Sequence, residues 1–332
     1  MTLPTRMRAA CIRATGGVEQ IELGELPVPQ PGPTDVLVRL LASSVNHVDL
    51  FVRSGACRTH APLPFVIGRD LVGTVAAVGP GVHAFASGHT VWCNSLGHDG
   101  RQGVHPGADY AVVACDRPYP LPAGVQPQAA ATVLHTAATA WLGLVREARA
   151  SAGETLFLEG GGGGVGSAVL QMAQAMGLRI VASAAADDEA RCLAPGAGAV
   201  FDYRRADLHH AVRRACHDGI DIWRDTRGRN DFARWLPLLN PKARIVVMSG
   251  LQRRNPALPV GALCTRDIRL CGFAICNASA TDLARAAKAI NRLLAAGGLA
   301  SRVGATFTLA QAAQAHAAMA SGRVGGRILV LP

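Results

Sequence analysis

A chain of 332 residues, 49% hydrophobic and 17% charged, has apolar material for two ordinary domains, which excludes a disordered tail or a minimal scaffold. The formal net charge of +10 is spread over dispersed arginines with only doublets such as Arg204-Arg205, Arg213-Arg214 and Arg253-Arg254, so a nucleic-acid partner is disfavoured and a field attracting small anions is favoured. No stretch approaches the roughly 18 apolar residues of a membrane span, no secretory pattern opens the chain, and nine cysteines without a CxxC pair read as reduced thiols, so a soluble cytoplasmic protein is expected.

The first part reads as short strands, "DVLVRLLASSV", "LVGTVAAVG", "HTVWCN" and "DYAVVAC", separated by turn clusters such as "PVPQPGPTD" and "VGPGVHAFASGH". This is the pattern of a β-rich, barrel-like domain without a helix of length. From about Ala129 the rhythm changes to Ala-rich helices alternating with apolar runs: "TLFLEG", "LRIVASA", "GAVFDY", "DIWRDT" and "ARIVVMSG". Between the first two lies "GSAVLQMAQAMGL", whose Val169, Met172, Ala173 and Met176 share a helical face that Gly177 ends. Such a βαβ series implies an α/β fold with a doubly wound parallel sheet. After "IRLCGFAI", two helical segments and a last strand, "GRILVLP", read as a return to the first domain.

The run "LEGGGGGVG" sits between a predicted strand and an amphipathic helix, which no linker does. Gly160, Gly163 and Gly166 fit G-x-x-G-x-x-G, and Gly161, Gly163 and Gly166 fit G-x-G-x-x-G. One glycine permits the tight turn, one lets backbone N–H groups approach a pyrophosphate, and one lets helix and strand pack closely. The next strand ends in Ser183, Ala184 and Ala185 where NAD usually meets an acidic residue, leaving room for a 2'-phosphate. Asp187 and Asp188 read as first-turn residues of the following helix.

From Met7 to Pro332 the chain resembles the zinc-independent, zeta-crystallin-like quinone oxidoreductases of the medium-chain dehydrogenase/reductase superfamily. The marks are "LPVPQPGPTDVLVR", "SVNHVDLFVRSG", "LPFVIGRDLVGTVAAVGPGV", "TAWLGL", "GGVGSAVLQMAQAMG", "VFDYR" and "GGRILVLP". The resemblance implies a GroES-like catalytic domain (residues 1–128 and 270–332) split by a Rossmann cofactor domain (129–269), an active site in the cleft between them, and a homo-oligomer, dimer or tetramer, assembled through the cofactor domain. Zinc-dependent relatives carry a Cys where this chain has Asn46, a His near Arg69 and a Cys near His135, so no metal is expected.

By the same resemblance Asn46 faces the nicotinamide, and Thr139, Thr226, Ser249 and Phe273 line the cofactor cleft, joined by the turn residues Gly160, Gly163, Gly164, Val165 and Gly166 and by Ser183 at the end of the second strand. Tyr203 and Arg323 match two of three residues that meet the 2'-phosphate of NADPH, whereas Asp188 stands near the place of the third, a Lys; NADPH is expected over NADH. Asp49 reads as fixing the loop from Asn46 to Cys57, in which Phe51 and Cys57 replace tyrosines of several relatives. The function expected is hydride transfer from NADPH to a quinone or similar conjugated carbonyl. The alternatives are an enone or enoyl (2-alkenal) reductase, with His47, Cys57 and His135 as candidate substrate contacts, and a crystallin-like NADPH-binding or RNA-binding protein without turnover.

Overall fold

The computed structural model describes residues 3–57, 63–94, 107–250 and 255–332; the Arg253-Arg254 doublet lies outside the described residues. The chain divides into two units, residues 1–135 with 278–332, and residues 136–277.

In the first unit β1 (Arg6–Ile12) pairs antiparallel with β2 (Ile21–Pro27), and β3 (Asp35–Val45) runs on into a helix, α1 (His47–Ser54). β4 (Phe65–Val66) joins β1, while β5 (Leu71–Val78) and β7 (Tyr110–Ala114) flank β3, and β6 (Thr90–Cys93) links β5 to β8 (Tyr119–Pro120). The Val- and Leu-rich β3 is buried along almost its whole length, as a central strand packed on both faces must be. α1 corrects the expected loop: the Asp49 carboxylate at its third position accepts the Asn46 N–H (2.7 Å), and Gly55, at φ +80, ends it. α2 (Pro127–Ala131), with Pro at its first turn, precedes α3 (Leu134–Trp141) and a π-helical turn, Leu142–Glu147.

The second unit alternates β9 (Thr155–Glu159), α4 (Gly164–Ala175), β10 (Arg179–Ala184), α5 (Glu189–Leu193), β11 (Ala199–Asp202), α6 (Leu208–Ala215), β12 (Ile220–Asp225), α7 (Phe232–Trp235), β13 (Leu239–Val247), α8 (Val260–Cys264) and β14 (Arg269–Gly272). All strand pairs are parallel, in the order β11-β10-β9-β12-β13-β14. The order reverses between β9 and β12, and the crevice at the carboxyl ends of strands at such a reversal is where doubly wound sheets bind ligands. α4 buries Val169, Met172 and Ala173 against the sheet, and Gly177 (φ +75) follows it. The core beneath is aromatic: Phe157 packs on Trp235 at 4.5 Å, and Trp223 meets Phe232 edge-on at 5.6 Å. β14 corrects the expected break at residues 269/270, because its residues pair in register with Arg244–Val247 and the unit therefore runs on to Asn277.

The return supplies α9 (Ala280–Ala295), capped by Ser279, then β15 (Val303–Thr308), α10 (Ala312–Ser321) and β16 (Arg327–Leu331). β16 pairs antiparallel with β3 and parallel with β15, completing a seven-stranded sheet in the first unit. A β-rich unit interrupted by a six-stranded doubly wound unit is the α/β, GroES-like plus Rossmann architecture expected from the sequence.

Candidate active site

Apart from Thr139 and Arg323, the residues expected at a cofactor fall at or just beyond the carboxyl ends of the parallel strands. Gly160 follows β9, Ser183 sits in the end of β10, Tyr203 follows β11, Thr226 follows β12, Ser249 lies just beyond β13, and Phe273 follows β14. The glycine turn is tied down from below, because Ser183 O accepts the N–H groups of both Gly160 and Gly161 at 2.9 Å. Gly160 adopts φ +86, and a Cβ at Gly166 would overlap the Gly160 carbonyl oxygen, so these two positions are glycine by necessity. Gly163 caps α4, leaving the free N–H groups of Gly164, Val165 and Gly166 at a helix N-terminus open to an anion. A side chain at Gly162 would meet the Asp188 carboxylate, which ion-pairs with Arg191.

Other placements refine the expectation. Ser183 is fully buried, so it holds the turn through its backbone. Thr226 Oγ1 donates to Glu159 O at 2.7 Å, and Ser249 Oγ approaches Thr226 O at 3.5 Å. The carbonyls of Thr139 and Ala140, at the entry to the π-helical turn, accept from the buried Arg224 at 2.9 and 3.0 Å, and Phe273 lies 5.8 Å from the same guanidinium. Burial lowers the Arg224 pKa to about 9. Arg323 belongs to the first unit and is exposed after α10.

Four residues at this edge escaped the sequence reading: Glu159, Arg224, Asp225 and Arg227. Glu159 and Asp225 are register partners on β9 and β12, both buried. Burial first, then the Asp225 charge, push the Glu159 pKa up to about 7 against the Trp223 indole, which donates to it at 2.9 Å. Asp225 accepts the backbone N–H groups of Arg227 (2.6 Å), Gly228 (3.0 Å) and Asn230 (2.6 Å), shaping the loop after β12. Arg227 lies over the Tyr203 ring, 3.5 Å from its centroid. A charged Arg-Asp pair ending the apolar run "IDIW" was the available signal.

In the first unit Asn46 is 3% exposed and its amide is saturated. Its Nδ2 donates to Ser44 O (3.2 Å) and Asp70 Oδ2 (3.0 Å), and its Oδ1 accepts from Arg327 at 2.6 Å. Arg327 also donates to Ser44 Oγ (2.9 Å), and Asp70 accepts from Ser43, Ser44 and Asn46, making one buried network on β3, β16 and the segment before β5. His135 is buried beside these charges. Burial, opposed by Asp70 and reinforced by Arg327 and Arg69, lowers its pKa to about 4, so it is neutral at pH 7. His47 opens α1 with an exposed side chain. Cys57 does not join this group; it packs half-buried against the apolar cluster of Val52, Phe65 and Ala315. Asn46, His47, Cys57, His135 and Arg323 thus stand in one unit, and the remaining candidates in the other.

Two family models match the chain: the alcohol dehydrogenase GroES-like domain over residues 32–123 and the zinc-binding dehydrogenase over 164–292. The quinone oxidoreductase of Mus musculus is 30% identical over 98% of each chain. Among solved structures, an NAD-dependent alcohol dehydrogenase superposes with a TM-score of 0.86 at 31% identity, over 98% of this chain and 100% of that one. A mycobacterial protein complexed with NADPH gives 0.84 at 25% identity, with the same coverage. With this similarity spanning both units, the chain belongs to the quinone oxidoreductases of the medium-chain dehydrogenase/reductase superfamily and is an oxidoreductase.

Proposed function

We propose that the protein is an NADPH-preferring reductase that delivers hydride to a quinone or similar conjugated carbonyl compound without zinc. The observation that carries the nucleotide half is the turn at the sheet's reversal, where a Cβ at Gly166 has no room and the α4 N-terminus carries no side-chain cap, as an anion would need. When bound, the nicotinamide supplies the hydride. The chain's own residues bind and orient: the turn N–H groups meet the pyrophosphate, Tyr203 meets the 2'-phosphate, and Thr139, Thr226, Ser249 and Phe273 position the nicotinamide end. A mycobacterial structural relative is described as bound to NADPH and another relative as NAD-dependent, so the preference for NADPH rests on Tyr203, Arg323 and the neutral end of β10.

The acceptor half rests on relatives named quinone oxidoreductases and on the polar network of the first unit. Asn46, its amide saturated, acts as a positioning residue that locks Arg327, Ser44 and Asp70. The three places that hold zinc ligands in zinc-dependent relatives offer an amide engaged by a guanidinium, an arginine and one imidazole. A catalytic zinc needs three protein ligands, and this donor set does not fit one. Neutral His135 and exposed His47 are the groups suited to orienting an acceptor oxygen, and protons come from water, in keeping with Phe51 lacking a hydroxyl.

Assembly into a homo-oligomer through the second unit is part of this reading; β14 is an edge strand that exposes Leu270. No helix of the described residues is long and apolar enough to cross a membrane, which suits the proposed cytoplasmic location. The deciding experiment is anaerobic oxidation of NADPH and of NADH with a quinone, a 2-alkenal and a cyclic enone. NADPH with the quinone should be fastest. Faster turnover of the 2-alkenal replaces the acceptor with an enone, and cofactor binding that no acceptor turns into oxidation overturns the enzymatic reading.

A further inference from the structure

The arginines near Tyr203 are not equivalent. Arg204 is held by Asp202 through two bonds of 3.0 Å, Arg205 by Asp207 at 2.9 Å, and Arg191 by Asp188. Arg227 makes no ion pair within 4 Å among the described residues. It is nevertheless half-buried and firmly placed. Its N–H is fixed by Asp225, its stem crosses the glycine turn so closely that a Cβ at Gly160 would sit 2.8 Å from its Cγ, and its guanidinium lies 3.5 Å from the Tyr203 ring centroid. Neighbouring strands are spaced about 4.8 Å apart. A side chain that starts after β12 and crosses the end of β9 therefore meets the ring that Tyr203 sends back from the end of β11, and the pair covers the sheet edge from the pyrophosphate turn to the ribose end.

A partly desolvated cation that is held by no ion pair is stabilised by an anion brought to it. The pyrophosphate already has the turn and the α4 N-terminus; the place Arg227 reaches, beside the Tyr203 phenol, lies past them, towards the adenosine ribose. The Asp188 charge that would oppose a phosphate is turned onto Arg191 and tucked against Gly162.

We propose that Arg227, stacked on Tyr203, is a further specificity-determining residue, which binds the 2'-phosphate of the adenosine ribose and stands in for the missing lysine near Asp188. The inference rests on the NADPH reading above. Its test is a calorimetric titration of the whole protein with 2',5'-ADP and with 5'-AMP, ligands that differ only in the 2'-phosphate. The parent protein should prefer 2',5'-ADP. Arg227→Ala should lose about tenfold in affinity for 2',5'-ADP and little for 5'-AMP, as expected for one charge-assisted contact. Arg227→Gln keeps the stem over Gly160 and should show the same selective loss even if the alanine variant folds poorly. A parent without preference overturns the NADPH reading. A parent with the preference, and variants that keep it or lose both ligands equally, overturn the role of Arg227 alone.

Discussion

At the scale of single residues, the nucleotide turn leaves least freedom at Gly166. Because a Cβ there would overlap the Gly160 carbonyl oxygen, Gly166→Ala must either open the turn or shift α4. We expect it to weaken NADPH binding by at least about tenfold, read by quenching of protein fluorescence, while leaving the far-ultraviolet spectrum intact. Glycines of this kind were legible in the sequence because the backbone itself demands them at fixed spacing. Arg227 and Arg327 were not, since an isolated arginine carries no period and its partners lie far away in the chain. Asn46 was named as a position but not as a bonded object: only the structure reveals that Ser44, Asp70 and Arg327 engage its amide.

At the scale of elements, the π-helical turn after α3 and the strand β12 explain each other. A π-turn widens the helix and disturbs its carbonyl partners; the fully buried Arg224 takes the carbonyls of Thr139 and Ala140, and Gly143 leaves room for its guanidinium. Arg224→Met, of similar length, strands both carbonyls and should cost about 2–4 kcal/mol, visible as a lower urea midpoint. The parallel sheet was legible because fully buried strands read as continuous apolar runs between helical segments. α1 was missed because it is only two turns long, and its signal was confined to the Asn46-Asp49 spacing of an N-cap. β15 was missed as well: its exposed and half-buried positions give no apolar run.

At the scale of the whole molecule, buried ionisable groups oppose one another in pH. Glu159 and Asp49, both raised to about 7, are more protonated in the folded than in the unfolded chain, so their contribution falls as pH rises from the ordinary carboxylate range to 7. His135 and His316, both lowered to about 4, contribute above 6.5 and lose that contribution as pH falls towards 4. The two slopes offset, which predicts a shallow stability profile across pH 4.5–7. Glu159→Gln, which still accepts the Trp223 bond, should raise stability at pH 8 by at most roughly 3 kcal/mol, with the gain vanishing near pH 4.5. Urea midpoints over that range would then fall on acidification in the variant and stay flatter in the parent.

The bond between Asn46 and Arg327 joins residues 281 positions apart, whereas the nucleotide turn and its sheet come from one uninterrupted segment. As a chain leaves the ribosome, the glycine turn and its parallel sheet are complete while the Asn46 network still lacks the Arg327 guanidinium that locks it, and Arg323 has yet to appear. The segment that carries the turn can therefore close before the network can, and the order of synthesis becomes an order of assembly.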